Sequence, residues 1–219
     1  ALTGREVLSK TVRGQYKAGS VDGQPVPGYQ QEGDRDGSTT ETFVALRADI
    51  DNWRWKGVPF YLRTGKRMPT RYSEIFIQFR DVPHSIFAVN GEDNLIPNQM
   101  IIRLQPEENV RLQIMNKIPG LDQSGAMRLR SLPLDLSLSE EFSDQRRRIA
   151  YERLLLDAIN HNTTLFVRRD EVEQAWAWVD GILDGWDNMG EAPKAYAAGT
   201  WGPSAAIALT ERDGRTWHE

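Results

Sequence analysis

A chain of 219 residues with 27 Lys plus Arg against 31 Asp plus Glu carries a formal charge of −4, which excludes a broad basic field for nucleic acid or anionic lipid. It has no cysteine, which removes disulfides, thiolate nucleophiles and thiolate metal ligands together. No run approaches the roughly 20 apolar residues of a membrane span, and the start has no basic stretch leading into an apolar signal core, so a soluble, cytoplasmic protein with no nucleic-acid or membrane partner is expected.

The chain opens at Ala1 without a methionine, and residues 4–10 read as the tail of a helix, so the sequence is expected to begin in mid-protein. Residues 14–38 are crowded with Pro25, Pro27, Gly28, Gly33 and Gly37, which favour turns, and are expected to form a long surface loop. Between 40 and 50, Val44, Leu46, Ala48 and Ile50 stay apolar while Phe43, Ala45, Arg47 and Asp49 turn polar toward the end. That alternation predicts a strand that buries the first set. Strands of the same kind are predicted over 58–63, 74–79, 100–104, 110–115 and 132–138, each bounded by Gly, Pro or charged residues. Parallel neighbours would need crossover segments between them, and none of these connections reads as a helix, so antiparallel pairing is expected.

Near Ser143, a candidate N-cap, the pattern changes: Ala150, Leu154, Leu155 and Ala158 recur at helical spacing. A second helix is marked by Asp170 with Glu173 three residues on, followed by Val172, Trp176, Val179, Leu183 and Trp186 along one face. Strands first and helices after predict an α+β fold, a large and mainly antiparallel sheet with helices packed on one face, in a single domain spanning 1–219.

The stretch 53–71 holds the most chemistry. A strand ends in Thr64-Gly65, and Arg63, Lys66, Arg67 and Arg71 follow or flank it. Glycine lets a ligand approach the backbone, Lys supplies a point charge and Arg a planar fork, a combination suited to a sugar phosphate. The same residues also suit a solvated basic turn, and residue types leave both readings open. Elsewhere the sequence offers less. Glu107-Glu108 and Glu140-Glu141 read as solvated carboxylates, no His/Asp/Glu spacing resembles a metal site, and His84, His161 and His218 read as surface residues. Trp176 and Trp186, at helical spacing, are expected in the core rather than in a sugar-stacking platform.

Five ordered blocks carry a resemblance: G-V-P-F-Y-L-R-T-G-K (57–66), I-R-L-Q-P (102–106), A-Y-E-R-L-L-L-D (150–157), F-V-R-R-D-E-V-E (166–173) and A-G-T-W-G-P (198–203). Together they resemble the C-terminal parts of bacterial glucose-6-phosphate dehydrogenases. The resemblance implies that Lys66 and the basic residue five positions later, Arg71, contact glucose 6-phosphate, with Gln105 nearby. Arg71 stands where Lys is frequent in the family, which changes the geometry of that contact.

The family's NADP-binding Gly-rich turn, its phosphate-binding block R-I-D-H-Y-L-G-K and its histidine base have no counterpart here, so the N-terminal Rossmann domain is expected to be absent and the chain inactive alone. NADP would then be bound by the missing domain. Arg63, Arg103 and Trp217 match the region that holds a second, structural NADP in animal members, but Tyr72, Phe76, Arg111 and Gln113 depart from it, so no cofactor is expected in this chain. The resemblance also implies a homodimer or homotetramer paired through the sheet. A free-standing, non-catalytic interaction or regulatory module with the same fold is the competing expectation.

Overall fold

The structure, a computed structural model, describes residues 2–81, 95–119, 129–141 and 150–218. Ser143, expected as an N-cap, and His84, expected at the surface, lie outside them. In chain order the elements are α1 (Arg5–Lys10), β1 (Thr11–Lys17), β2 (Gly19–Val21), β3 (Gln24–Val26), β4 (Phe43–Asp49), β5 (Pro59–Gly65) and β6 (Ser73–Gln78). There follow β7 (Gln99–Gln105), β8 (Asn109–Lys117), β9 (Leu129–Ser137), α2 (Leu138–Glu141), α3 (Ala150–Ile159), α4 (Arg169–Asn188), β10 (Lys194–Ala197) and α5 (Ser204–Glu211). The α+β class and the largely antiparallel pairing hold, and all six predicted strands are present. The strands form two four-stranded ladders and a small hairpin. The chain divides into two compact units, Ala1–Thr70 with Ala150–Glu219, and Arg71–Ile149.

The first unit is built on the sheet β10-β1-β4-β5, in which β1 and β10 run parallel and the other pairs antiparallel. Side chains alternate across a strand, so each strand serves two faces. On one face Val12, Phe43 and Ala45 pack with Tyr196, Ala206 and Leu209, the last two from α5. On the other, Leu46 packs with Val7 of α1 and with Ile182 and Trp186 of α4, and Val44 and Ala48 lie beside them. Both parities of β4 are therefore buried, where the alternation predicted one. The helices likewise divide, α1 and α4 on one face and α5 on the other, rather than all lying on one side.

Residues 14–38 do not form the expected long loop. β1 runs through Gly14 to Lys17 in the centre of the sheet, and β2 and β3 make a hairpin. A Cβ at Gly14 would lie 3.2 Å from the Lys194 carbonyl and from the Pro203 ring, a tight fit, so close packing in the strand rather than a turn favours glycine here. The same strand carries Arg13, whose guanidinium donates to the carbonyls of Glu191 and Thr39 and pairs with Glu41 at 2.7 Å. It also stacks 4.9 Å from the Trp186 ring.

α4 is the predicted second helix with its start shifted. The carboxylate that accepts the backbone N–H of Arg168, at 3.1 Å, belongs to Glu171, not Glu173. Only its C-terminal half is buried. Trp186 is 3% exposed and donates its indole N–H to Thr11 Oγ1 at 2.8 Å, whereas Trp176 is 60% exposed, so the core assignment of Trp176 is corrected. α3 forms over the predicted repeat, but Tyr151, Leu155 and Ile159 stay exposed; Asp157 accepts from Arg153 within the helix and from Asn162 just beyond its end.

The second unit is the antiparallel ladder β6-β7-β8-β9. Its register places Ile75 opposite Ile102, Ile77 opposite Met100, Leu112 opposite Leu134 and Val110 opposite Leu136, so one face is apolar across all four strands. The other parity carries cross-strand ion pairs, Arg103 with Glu74 and Arg111 with Asp135, each at 2.8 Å.

Candidate functional site

The cationic stretch singled out in the sequence separates by role once folded. β5 ends at Gly65, and the chain turns immediately. A Cβ on Gly65 would lie 2.8 Å from the ring of Phe43, which is 1% exposed and cannot move aside, so packing accounts for this glycine without a ligand. Arg63, in the strand, is held between two indoles, 4.8 Å from the Trp201 ring and 4.7 Å from the Trp217 ring, and donates to the His218 carbonyl. Beside it Tyr61 edges against Trp217 and hydrogen-bonds Asp213, which also accepts from Arg47 at 2.8 Å. Burial, with that bond to Asp213, pushes the Tyr61 phenol up to about 12.

Arg67 is likewise engaged. Its backbone is left-handed, φ +54°, and its guanidinium donates to Glu32 at 2.9 Å. The Tyr16 hydroxyl donates to the other Glu32 oxygen at 2.9 Å. These two donors, Tyr16 first, hold the Glu32 carboxyl below its ordinary range.

Lys66, between these two arginines in the chain, is exposed, and among the described residues its ammonium has no ion pair or hydrogen bond. Its backbone, by contrast, is fixed. The Lys66 N–H donates to the Thr42 carbonyl at 2.8 Å, and the Lys66 carbonyl accepts from the Tyr196 hydroxyl at 2.7 Å. One residue on, the Arg67 carbonyl accepts from the Gly199 N–H at 2.7 Å. Gly199 has φ +86°, and a Cβ there would meet the Ser20 carbonyl oxygen at 1.8 Å, so no other residue fits this clamp. A recess of about 330 Å³ opens against Thr42, Thr64, Gly65 and Lys66. The arrangement is a free ammonium on a rigid backbone beside a concave surface, suited to a charge-assisted contact with an anionic ligand.

Arg71 and Gln105 belong to the second unit. Both are exposed, and they lie at the same end of the β6–β7 ladder, where Ser73 is paired with Gln105 and Arg71 precedes Ser73 by two residues. Arg103 is taken up by Glu74 and by stacking 4.3 Å from the Tyr72 ring. Sequence reasoning singled out Lys66 but not the residues that hold its backbone, Thr42 and Tyr196, nor those that hold Arg67 beside it, Glu32 and Gly199. Tyr196 immediately precedes the quoted A-G-T-W-G-P block by one alanine, the nearest signal available.

Among the described residues there is one parallel strand pair, β1 with β10, and no group of His, Asp and Glu able to hold a metal ion. Among the described residues there is no βαβ unit with a Gly-rich turn at a helix N-terminus, the arrangement of a Rossmann dinucleotide site. No described helix is long and apolar enough to cross a membrane.

The sequence signature of the glucose-6-phosphate dehydrogenase C-terminal domain matches residues 1–218. Glucose-6-phosphate 1-dehydrogenase of Zymomonas mobilis is 57% identical over 213 residues, covering 97% of this chain and 43% of the relative. That of Rhizobium meliloti is 56% identical over 218 residues, covering 100% of this chain and 43% of the relative. Among solved structures, a glucose-6-phosphate dehydrogenase in complex with its substrate glucose-6-phosphate superposes with a TM-score of 0.82 at 33% identity, over 95% of this chain and 41% of that one. The Mycobacterium avium glucose-6-phosphate 1-dehydrogenase gives 0.71 at 33% identity, over 96% and 40%. The chain thus spans about two fifths of the length of the proteins it matches. With a signature match along almost its whole length, it belongs to the glucose-6-phosphate dehydrogenase C-terminal domain family.

Proposed function

We propose that this chain is the substrate and oligomerisation domain, 1–219, of a longer NADP-dependent dehydrogenase that oxidises D-glucose 6-phosphate to 6-phospho-D-glucono-1,5-lactone in the cytoplasm, at the entry to the pentose phosphate pathway. The observation that carries it is the Lys66 ammonium, without a partner among the described residues and presented by a fixed backbone, in a chain of this family. Lys66 donates a charge-assisted hydrogen bond to the sugar phosphate and neutralises part of its charge. Arg71 and Gln105 are further contacts with the same substrate, supported by the family resemblance and by their exposure. NADP, bound by another part of the protein, supplies the hydride acceptor. Positioning by Lys66 does not replace that acceptor or a base, so this chain alone is inactive.

The test compares two preparations. The full-length protein should reduce NADP on addition of glucose 6-phosphate, and the chain expressed alone should not. A full-length protein with no glucose 6-phosphate-dependent reduction would sink the reading.

The subunit partner is a second copy of this chain, docked on the apolar face of the second unit. Leu132, Leu134 and Leu136 of β9 and Ile75 and Ile77 of β6 are exposed on that face. Their register joins them through Met100, Ile102 and Leu112 into one continuous apolar surface, the kind that marks an interaction site. Two copies meeting there form a homodimer, and paired dimers a homotetramer.

A further inference from the structure

We propose that Tyr196 is a positioning residue for substrate binding, acting through the backbone of Lys66; the inference rests on the role given to Lys66 above. The two lie 130 residues apart in sequence, and their contact is the end of a directed chain of hydrogen bonds. The Tyr16 N–H donates to Thr42 Oγ1 at 3.0 Å, and the Thr42 hydroxyl lies 3.1 Å from the Tyr196 phenolic oxygen. The Tyr196 hydroxyl donates on to the Lys66 carbonyl at 2.7 Å, and the Lys66 N–H returns to the Thr42 carbonyl at 2.8 Å. The phenolic proton has two carbonyls within reach, Lys66 at 2.7 Å and Thr42 at 3.2 Å, and the shorter bond goes to Lys66; a phenol donating there accepts from the Thr42 hydroxyl. Each donor in such a chain polarises the next.

Burial makes the arrangement stringent. Tyr196 is 3% exposed and its ring packs 5.5 Å from Phe43 and 6.3 Å from Tyr16, so the ring is held with its hydroxyl against the Lys66 and Thr42 carbonyls. Burial also raises its pKa, which keeps the phenol protonated and able to donate. At the far side of Lys66, Arg67 is held in a left-handed conformation by Gly199 and Glu32. For a residue with a Cβ that conformation is disfavoured, and it persists where neighbouring contacts over-determine it. Lys66 is thus flanked by two fixed points, and Tyr196 supplies the one that grips its own carbonyl. The long, otherwise mobile lysine side chain starts from a single direction, which reduces what is lost when the ammonium meets its ligand.

The test is a double-mutant cycle in the full-length protein. Tyr196→Phe removes the hydroxyl and keeps the ring. It should raise KM for glucose 6-phosphate about 3- to 10-fold, with kcat within about twofold and KM for NADP unchanged. In a Lys66→Ala background the same substitution should leave KM within about twofold, because the residue it positions is gone. Thr42→Val should reproduce the KM effect and Thr42→Ser should not, a second pair that carries the test if Tyr196→Phe folds poorly. An equal effect of Tyr196→Phe in both backgrounds would mean a merely structural role and overturn the inference, as would an unchanged KM in Tyr196→Phe where Lys66→Ala raises it. A Lys66→Ala protein with unchanged KM would instead remove the role of Lys66 itself, and this inference with it.

Discussion

The two units solve the same problem, a four-stranded sheet with two faces, in opposite ways. In the first, α1 and α4 cover one face and α5 the other, so β4 is buried on both parities and the turn after β5 is clamped by backbone and side chains from residues 42, 196 and 199. In the second, one face is stitched by cross-strand ion pairs and the other is an uninterrupted apolar surface. The difference assigns tasks. Under the function proposed above, a sheet packed on both sides provides the rigidity to aim Lys66, and a sheet left apolar on one side would gain its remaining burial from a second copy.

The sharpest way to break this contrast is to remove one apolar side chain from each sheet. Phe43→Ala, at 1% exposure between β4, Tyr196 and α5, should cost about 3–5 kcal/mol of unfolding free energy, read from the denaturant midpoint. Leu134→Ala, at 60% exposure, should cost about 0.5 kcal/mol at protein concentrations where the assembly is dissociated. Equal losses would show that the two sheets are not differently dependent on their own cores.

A second experiment concerns assembly rather than folding. Leu134→Asp places a charge in the middle of the apolar face, opposite Leu112, and should convert the protein to a monomer in sedimentation at micromolar concentration while its melting temperature at high dilution stays within a few degrees. Wild-type protein that sediments as a monomer at every concentration would remove the second-copy proposal.

The smallest effect lies at the ion cluster behind Lys66. Because Tyr16 and Arg67 hold the Glu32 carboxyl below its ordinary range, the unfolded chain binds its proton more readily than the folded one as pH falls. The stabilisation is therefore complete above the unfolded carboxyl value of about 4.3 and is lost as pH drops through the lowered folded value. Wild type and Glu32→Gln should differ by a constant amount above about pH 5.5 and converge in stronger acid. A difference that grows on acidification would contradict the sign.

What was legible in the sequence followed local periodicity. The strands 74–79, 100–104, 110–115 and 132–138 show in their own residues because one parity is apolar throughout, Ile75, Ile77, Met100, Ile102, Leu112 and Leu134 among it, while the other mixes ion pairs with Phe76 and Ile101. β4 misled for the converse reason: with both faces buried, Phe43 and Ala45 matter as much as Leu46. The stretch 14–38 misled because Gly14, there for close packing against Lys194 and Pro203, looks the same in sequence as a turn glycine. Trp176 and Trp186 share a helical face by spacing, but only the C-terminal part of α4 reaches the sheet. Lys66 was visible as one cation of four. That Arg63 and Arg67 are occupied by Trp201, Trp217 and Glu32 depends on residues 35 to 154 positions away, which no local pattern encodes.

Of Arg63, Lys66 and Arg67 at the end of β5, Lys66 is the one proposed to be kept for the ligand. Lys66→Ala in the full-length protein tests that role most directly, by kcat/KM for glucose 6-phosphate with the melting temperature measured alongside. A charge-assisted hydrogen bond is worth roughly 1.5–3 kcal/mol, so the expected result is a fall of about 10- to 150-fold with KM for NADP and thermal stability unchanged. Unchanged kcat/KM would contradict the claim and leave Lys66 as part of a solvated basic turn.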